Sequence, residues 1–504
     1  MDEAERMAVS PTSSGSAPFR STIGADRLAA LKAGVALRAP VARRVSGSRS
    51  GMAAPVRAAP ISPPIIQGIN INGVGQGTGI LIPPDTHGAV GASQFVEVVN
   101  QQFVVYSKDN PPKLLKNVSL ASFFGYAAPF PGLFDPRVIY DPTWKRWIVT
   151  ANAFHESQSP LVQKLLIAVS KTANATGAFY VVRDFNTDIF NIGNFSDFPQ
   201  LGMDQDAIIL TTNVFENEVE TSPYLRSEVI TFAKARAYNG FELEAQFFDA
   251  GPSGTIAPPI VLDQNPNTFL VAAAPVAFPN GTSLSLFTLT NSSRGSGASL
   301  AGPVSVPVLA AYGVPSDAQQ LGTTDTLLTS DARFANASTQ VEDTLWQTHT
   351  VNTETGLPTP VWYKINTAET PTVAEQGQFY STGTSFDFNA SIVANQEGDM
   401  FVTWSSTDPT PDPVLGFPAV NAQVRFSGRT VGDPETDLSP GTALFTSSTF
   451  YSPVGFGSPP WPWGDYSAIT IDPANDMQAW LVNQKNNSTS RWGSRIGRIA
   501  FPSP

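Results

Sequence analysis

The chain has 504 residues, 30 Lys plus Arg against 42 Asp plus Glu, three His and no Cys. The missing cysteine excludes disulfides, thiolate metal sites and a cysteine nucleophile. The net charge of −12 argues against a duplex-DNA or other nucleic-acid partner, which needs Lys and Arg to neutralise phosphate.

Residues 1–60 carry nine Lys/Arg and four acids and are rich in Ala, Ser, Arg and Pro. They read as a disordered leader, propeptide or targeting segment. One short helix is predicted in it, with Asp26 as cap of "RLAALKAGVAL". No apolar run in the chain is long enough to span a bilayer. The expected location is extracellular or at the cell surface. The Arg/Ser/Ala-rich leader leaves organelle targeting as the alternative.

From about residue 70 the chain is a series of short strands, among them "QFVEVVN" (94–100), "RWIVTANA" (146–153), "AIILTTNVF" (207–215), "SLSLFTLT" (283–290) and "DMFVTWSS" (399–406). Gly, Pro, Asn or Asp bound each of them, and helical periodicity is nearly absent. A polar lead followed by two such strands recurs at Pro83, Phe134, Ser196, Ala257, Asp317, Phe388 and Trp463. Seven units of this size predict an all-β fold, a seven-bladed β-propeller over residues 61–504 as a single domain. Six blades or tandem β-sandwiches are the alternatives. The last unit is one strand short, and "PIIQGININGVGQGTG" (64–79) is the candidate to complete it.

The motifs "PPDTHGAVG…FVEVVN", "DPRVIYDPTWKRWIVTA", "DFPQLGMDQDAIILTTN", "QLGTTDTLLT…TLWQTHT" and "WGDYSAITIDP…W…RIGRIAFP" occur in this order. In this the chain resembles a group of large, mostly uncharacterised bacterial propeller proteins, often exported and loosely akin to sialidase-type propellers. The resemblance covers roughly residues 80–502 and implies a propeller without an agreed activity. The sialidase Asp-box and a clear arginine triad are absent.

In a propeller the inner strands line an axial channel, so their polar leads converge from distant parts of the chain. The candidate catalytic residues are Asp85, His87, Asp135, Arg137, Asp197 and Asp465. Carboxylates crowded there would serve as acid and base, with Arg137 as an anion clamp in contact with one of them. Gln200, His349, Asn389, Trp461, Trp463 and Tyr466 are candidate ligand-binding residues, the tryptophans as sugar-stacking rings or as a plug. Turn-capping and blade-locking roles compete with these throughout. "DQD" (204–206), "NQEGD" (395–399) and "DPAND" (472–476) are fragments of calcium loops, each incomplete, and read as hairpin turns. Calcium is therefore the one cofactor in view, and metal ligands stay unassigned. The main functional expectation is a propeller binding module for glycans or a partner protein through a polar axial mouth. A propeller hydrolase or lyase acting on a saccharide or related small molecule is the alternative, and a structural element of a surface assembly the second. The expected ligand is accordingly a glycan, a small molecule or a protein.

Overall fold

The computed structural model describes residues 63–77, 81–125, 133–155, 162–187, 193–217, 221–273, 281–411, 416–455 and 457–502, with Leu28, Ala29 and Lys32 of the leader. Nearly all the regular structure is β. The strands form five separate four-stranded sheets and one of nine strands. The nine-stranded sheet is two antiparallel four-stranded meanders joined through the short strand Pro259–Val261, which runs parallel to a neighbour on each side. Numbered along the chain, the four-stranded units occupy residues 87–119, 133–185, 195–249, 256–312, 338–378, 386–446 and 468–500. They are called units 1 to 7 below.

Leading strands of successive units touch, except between units 4 and 5, where Pro259–Val261 pairs with the leading strands of units 3 and 5. The strands led by His87 and by Ala468 also touch, which closes the cycle. Strand Ile65–Gly75 pairs antiparallel with Arg491–Ala500 and is the outer, fourth strand of unit 7. Residues 65–75 and 491–500 are thus hydrogen-bonded into one sheet, which leaves the 491–500 edge paired rather than open.

Alternation explains why the strands form where they do. In Ala207–Phe215 and Leu133–Asp141 every residue is buried, the pattern of a strand packed on both faces. The core lies between adjacent units: Trp147 of unit 2 packs among Ala89 and Val96 of unit 1, and Trp404 of unit 6 with Trp362 of unit 5. Outer strands such as Leu114–Ser119 alternate exposed and half-buried residues.

One expectation needs correction. Unit 5 begins at Ser338 rather than near Asp317. The apolar "LLT" at 327–329 is used as a tie instead, with Leu327 bridged to Ala318 and to Trp461. The few described residues of the leader contact the domain at one place. Leu28 and Lys32 are buried, and Lys32 Nζ lies 2.5 Å from Asp317 Oδ1 and 3.3 Å from Thr329 Oγ1.

Candidate functional site

The leading strands share a local deformation. Register shifts fall between Phe134 and Arg137, Asp197 and Gln200, and Phe388 and Ser391. Inside each bulge one non-glycine residue takes a left-handed backbone: Asp135 (φ 50°), Phe198 (φ 55°) and Asn389 (φ 51°). Asp85 (φ 47°) occupies the same place before His87. A bulge turns the side chains on either side of it off the sheet's regular alternation. Asp and Asn tolerate this backbone, whereas Phe does so at a cost, so Phe198 is held there by its surroundings.

The result is a compact charged cluster at the end of the axis where the leading strands begin. Arg137, from unit 2, is 1% exposed. Its Nε donates to Pro199 O at 2.9 Å, Nη1 to Asn336 Oδ1 at 3.2 Å and Nη2 to Ala335 O at 3.1 Å. The guanidinium carbon lies 3.2 Å from the centre of the Tyr466 ring. The Tyr466 hydroxyl donates to Asp135 Oδ2 at 2.9 Å. Phe198 packs beside Tyr466, and Arg333 stacks on Phe198 at 4.3 Å. One arginine and one tyrosine therefore cross between units 2 and 3, the segment leading into unit 5, and that leading into unit 7.

The carboxylates sit around this stack. Asp85 accepts from Asn100 Nδ2 at 2.6 Å and from the Asp465 backbone N–H at 2.9 Å. Asn100 Oδ1 in turn accepts from the Asp135 backbone N–H. Asp197 Oδ1 accepts from the Phe198 N–H. Asp85, Asp135 and Asp197 are buried, whereas Asp465 is half-buried. Burial is the first cause that raises the proton affinity of Asp85, Asp135 and Asp465. With Asp197 and other like charges nearby, Asp135 is pushed up to about 7 and Asp465 to about 8. Asp85 is also raised well above the carboxylate range, by burial first and then by Asp465 and Asp135. An Asp85 carboxyl also bonds Asp135.

The six candidate acids, base and clamp are thus assembled in one neighbourhood, with one difference from expectation. Among the described residues no carboxylate lies within ion-pair distance of Arg137. It is satisfied by carbonyls and an aromatic face, because the bulges bring Pro199 and Tyr466 to it first. Arg333, which sequence reasoning passed over, is the arginine paired to an acid, with Asp331 at 2.7 Å. Its signal was present in "SDARF", two residues apart like Asp135 and Arg137.

His87 stands between this cluster and the rest of the axis. Its Nδ1 accepts from the Val138 N–H at 3.3 Å, and burial with the nearby Arg137 charge holds the ring neutral, well below the usual histidine range. Beyond it lies a cavity of about 820 Å³, lined by the inner strands and their turns, including His87, Asn336, Ser338, Ser391 and Ser467.

The ligand-binding candidates divide. Asn389 Nδ2 donates to Tyr466 O and Asn483 Oδ1, both at 3.3 Å, and stays in the cluster. The buried Gln200 amide has no hydrogen-bond partner among the described residues. His349 is enclosed by Tyr312, Phe334 and Tyr363; it bonds Ala332 O and the Tyr363 hydroxyl, and burial drops its pKa to about 3. It lies buried in the core within unit 5 and is not among the residues that line the cavity beyond His87. For the two tryptophans, read as stacking rings or as a plug, the burial goes with the second alternative. Trp461 and Trp463 are core residues, 7% and 1% exposed, with ring N–H groups bonded to Asp325 and Ser405. The proline-rich loop turns them inward rather than outward.

The three calcium-like fragments are hairpin turns. Asp204, Asn395 and Asp472 accept from backbone N–H groups two to four residues on. Among the described residues no group of three or more His, Asp or Glu is placed to hold a metal ion.

No family model and no curated protein matches the chain. Solved structures similar to it include the sialidase of Trypanosoma rangeli in complex with sialic acid (10% identity, 72% of this chain and 54% of that one, TM-score 0.37). An α-L-arabinofuranosidase of Fusarium graminearum is 8% identical over 86% of this chain and 97% of that one, with a TM-score of 0.36. An exo-β-1,3-galactanase of Phanerochaete chrysosporium is 10% identical over 68% and 80%, with a TM-score of 0.32. This chain spans about half the length of the trypanosomal enzyme.

Proposed function

We propose that the chain is a seven-bladed propeller, one domain over residues 61–504, that hydrolyses a saccharide or related small molecule by acid–base catalysis at the Asp465 end of its axis. The observation that carries this is Asp465 itself. It is the half-buried member of the cluster, and its proton affinity, about 8, lets it hold a proton at neutral pH. A carboxyl in that state can protonate a leaving oxygen, while an ionised partner assists water. Burial first, then the like charges of Asp135 and Asp197, sets this state against the opposing charge of Arg333.

The test is a panel of 4-nitrophenyl glycosides assayed from pH 5 to 9. Turnover should peak between the two apparent values of about 7 and 8, which belong to the coupled group. Asp465→Asn should lose at least about a hundredfold in kcat with its fold intact. A folded parent enzyme that releases no nitrophenol from any of them refutes the reading.

A second reading has its own observation. The nitrogens of Arg137 and the hydroxyl of Tyr466 are spent on bonds between units. On this reading the cluster is a lock, and the protein binds a glycan or partner without turning it over. Asp465→Asn would then lower stability and leave no activity to lose.

A further inference from the structure

The second chamber of the axis is unused by either reading. It lies beyond His87, toward the turns that end the leading strands, and holds about 820 Å³, within the range of small-molecule sites. Its floor is polar and uncharged. Val138 donates to Nδ1 of His87, so the neutral ring carries its proton on Nε2 as a donor. The Ser338 hydroxyl is buried and has no hydrogen-bond partner among the described residues. Ser467 donates to Asn389 O at 3.1 Å and Ser391 donates to Ser467 at 2.7 Å, so both hydroxyl protons are committed and the pair offers only lone pairs. A buried hydroxyl left unpaired costs free energy, so this floor is built to meet a partner atom.

The walls are aliphatic, with Ile139, Met203, Ile260, Ile392 and Val393. The rim carries Asp141, Asp204, Asp263 and Asp472, each committed to its own turn. Asp141 is also bound by Lys234 at 2.6 Å. Asp472 is likewise bound by Lys108 at 2.6 Å, so the rim keeps its net negative charge through Asp204 and Asp263, which disfavours anions, while the committed carboxylates offer little to a cation.

We propose that this chamber binds an uncharged small molecule with an apolar body and a carbonyl or ether oxygen, which the His87 Nε2–H and the Ser338 hydroxyl receive at the floor. The site is independent of the carboxylate cluster. Selection is by charge and by the single acceptor, since the walls discriminate among apolar shapes only weakly.

Saturation-transfer NMR on the full chain tests this with three probes of one shape: cyclohexanone, cyclohexanecarboxylate and cyclohexylammonium. Cyclohexanone should receive saturation and the carboxylate should not, with the ammonium weaker than the ketone. Ser338→Ala should weaken cyclohexanone roughly three- to tenfold. Val393→Trp, which fills the chamber, should abolish the signal, and a melting curve checks its fold. If that variant unfolds, Ile392→Phe serves in its place. Asp465→Asn should leave ketone binding unchanged, which separates this site from the proposed active site. Equal saturation of all three probes, none on cyclohexanone, or a ketone signal that survives the filled chamber would overturn the proposal.

Discussion

Tyr466 and Arg137 each join two roles, because the contacts that hold the units together also set the charge state of the carboxylates. Asp135 and Asp465 are raised toward 7 and 8, so in the folded protein they hold protons that the unfolded chain would release near pH 4. Stability from this source is complete below about pH 4 and is lost as pH rises through 7 and 8. His87 and His349 act in the opposite sense. Their folded values lie below 6.5, so they favour the fold at neutral pH and cease to as pH falls. Urea midpoints should therefore be highest in mildly acidic solution. Asp465→Asn should flatten the alkaline limb and leave the acid limb alone. An alkaline limb as steep in the variant as in the parent would mean that other groups cause it. Tyr466→Phe should cost about 1–3 kcal/mol through the lost bond to Asp135, with the ring stack retained.

At the scale of elements, the strands were legible because apolar runs bounded by turn formers leave few other choices. The polar leads were legible as well: "FDPR", "DFPQ" and "FNAS" mark the places where the bulges form. What each lead touches was not legible, since a bulge redirects side chains by an amount no alternation encodes. Arg137 consequently meets Tyr466 and Pro199 where an acid was expected. "GSPPWPWGDY" left two roles open for its tryptophans, stacking ring or plug; backbone pairing of Trp461 with the 326–328 segment folds the rings inward, which composition alone does not encode. The leader's one described contact was not legible either. Lys32 is a buried cation whose counter-charge, Asp317, lies 285 positions away. Burial lowers its proton affinity, and Asp317 and Asp331 oppose that. Lys32→Met should lower unfolding free energy by about 1–3 kcal/mol, because Asp317 loses its partner. Removal of residues 1–60 should do the same. Urea curves of both that superimpose on the parent's would show that the contact contributes nothing in solution.

For the whole molecule, closure rests on one strand. Ile65–Gly75 completes unit 7, and Glu97 of unit 1 pins it there. Glu97 is fully buried and accepts from the Val74 N–H, the Ser494 hydroxyl and the Tyr106 hydroxyl. Those donors come from the closing strand, unit 7 and unit 1, so a single carboxylate spans the seam. Three donors also offset much of the burial that raises its proton affinity. A chain that begins at residue 81 lacks the strand and all it pairs with. It exposes the Arg491–Ala500 edge, whose N–H and C=O groups then seek another chain. Such a truncated chain should self-associate in sedimentation and lose the sharpness of its urea transition. A synthetic peptide of residues 63–77, added in excess, should restore both, since it brings the pairing without the covalent link. The same peptide with Val74 changed to Pro should fail, because proline has no N–H for Glu97. A truncated chain that stays monomeric and unfolds at the parent's urea midpoint would show that the ring closes without its N-terminal strand.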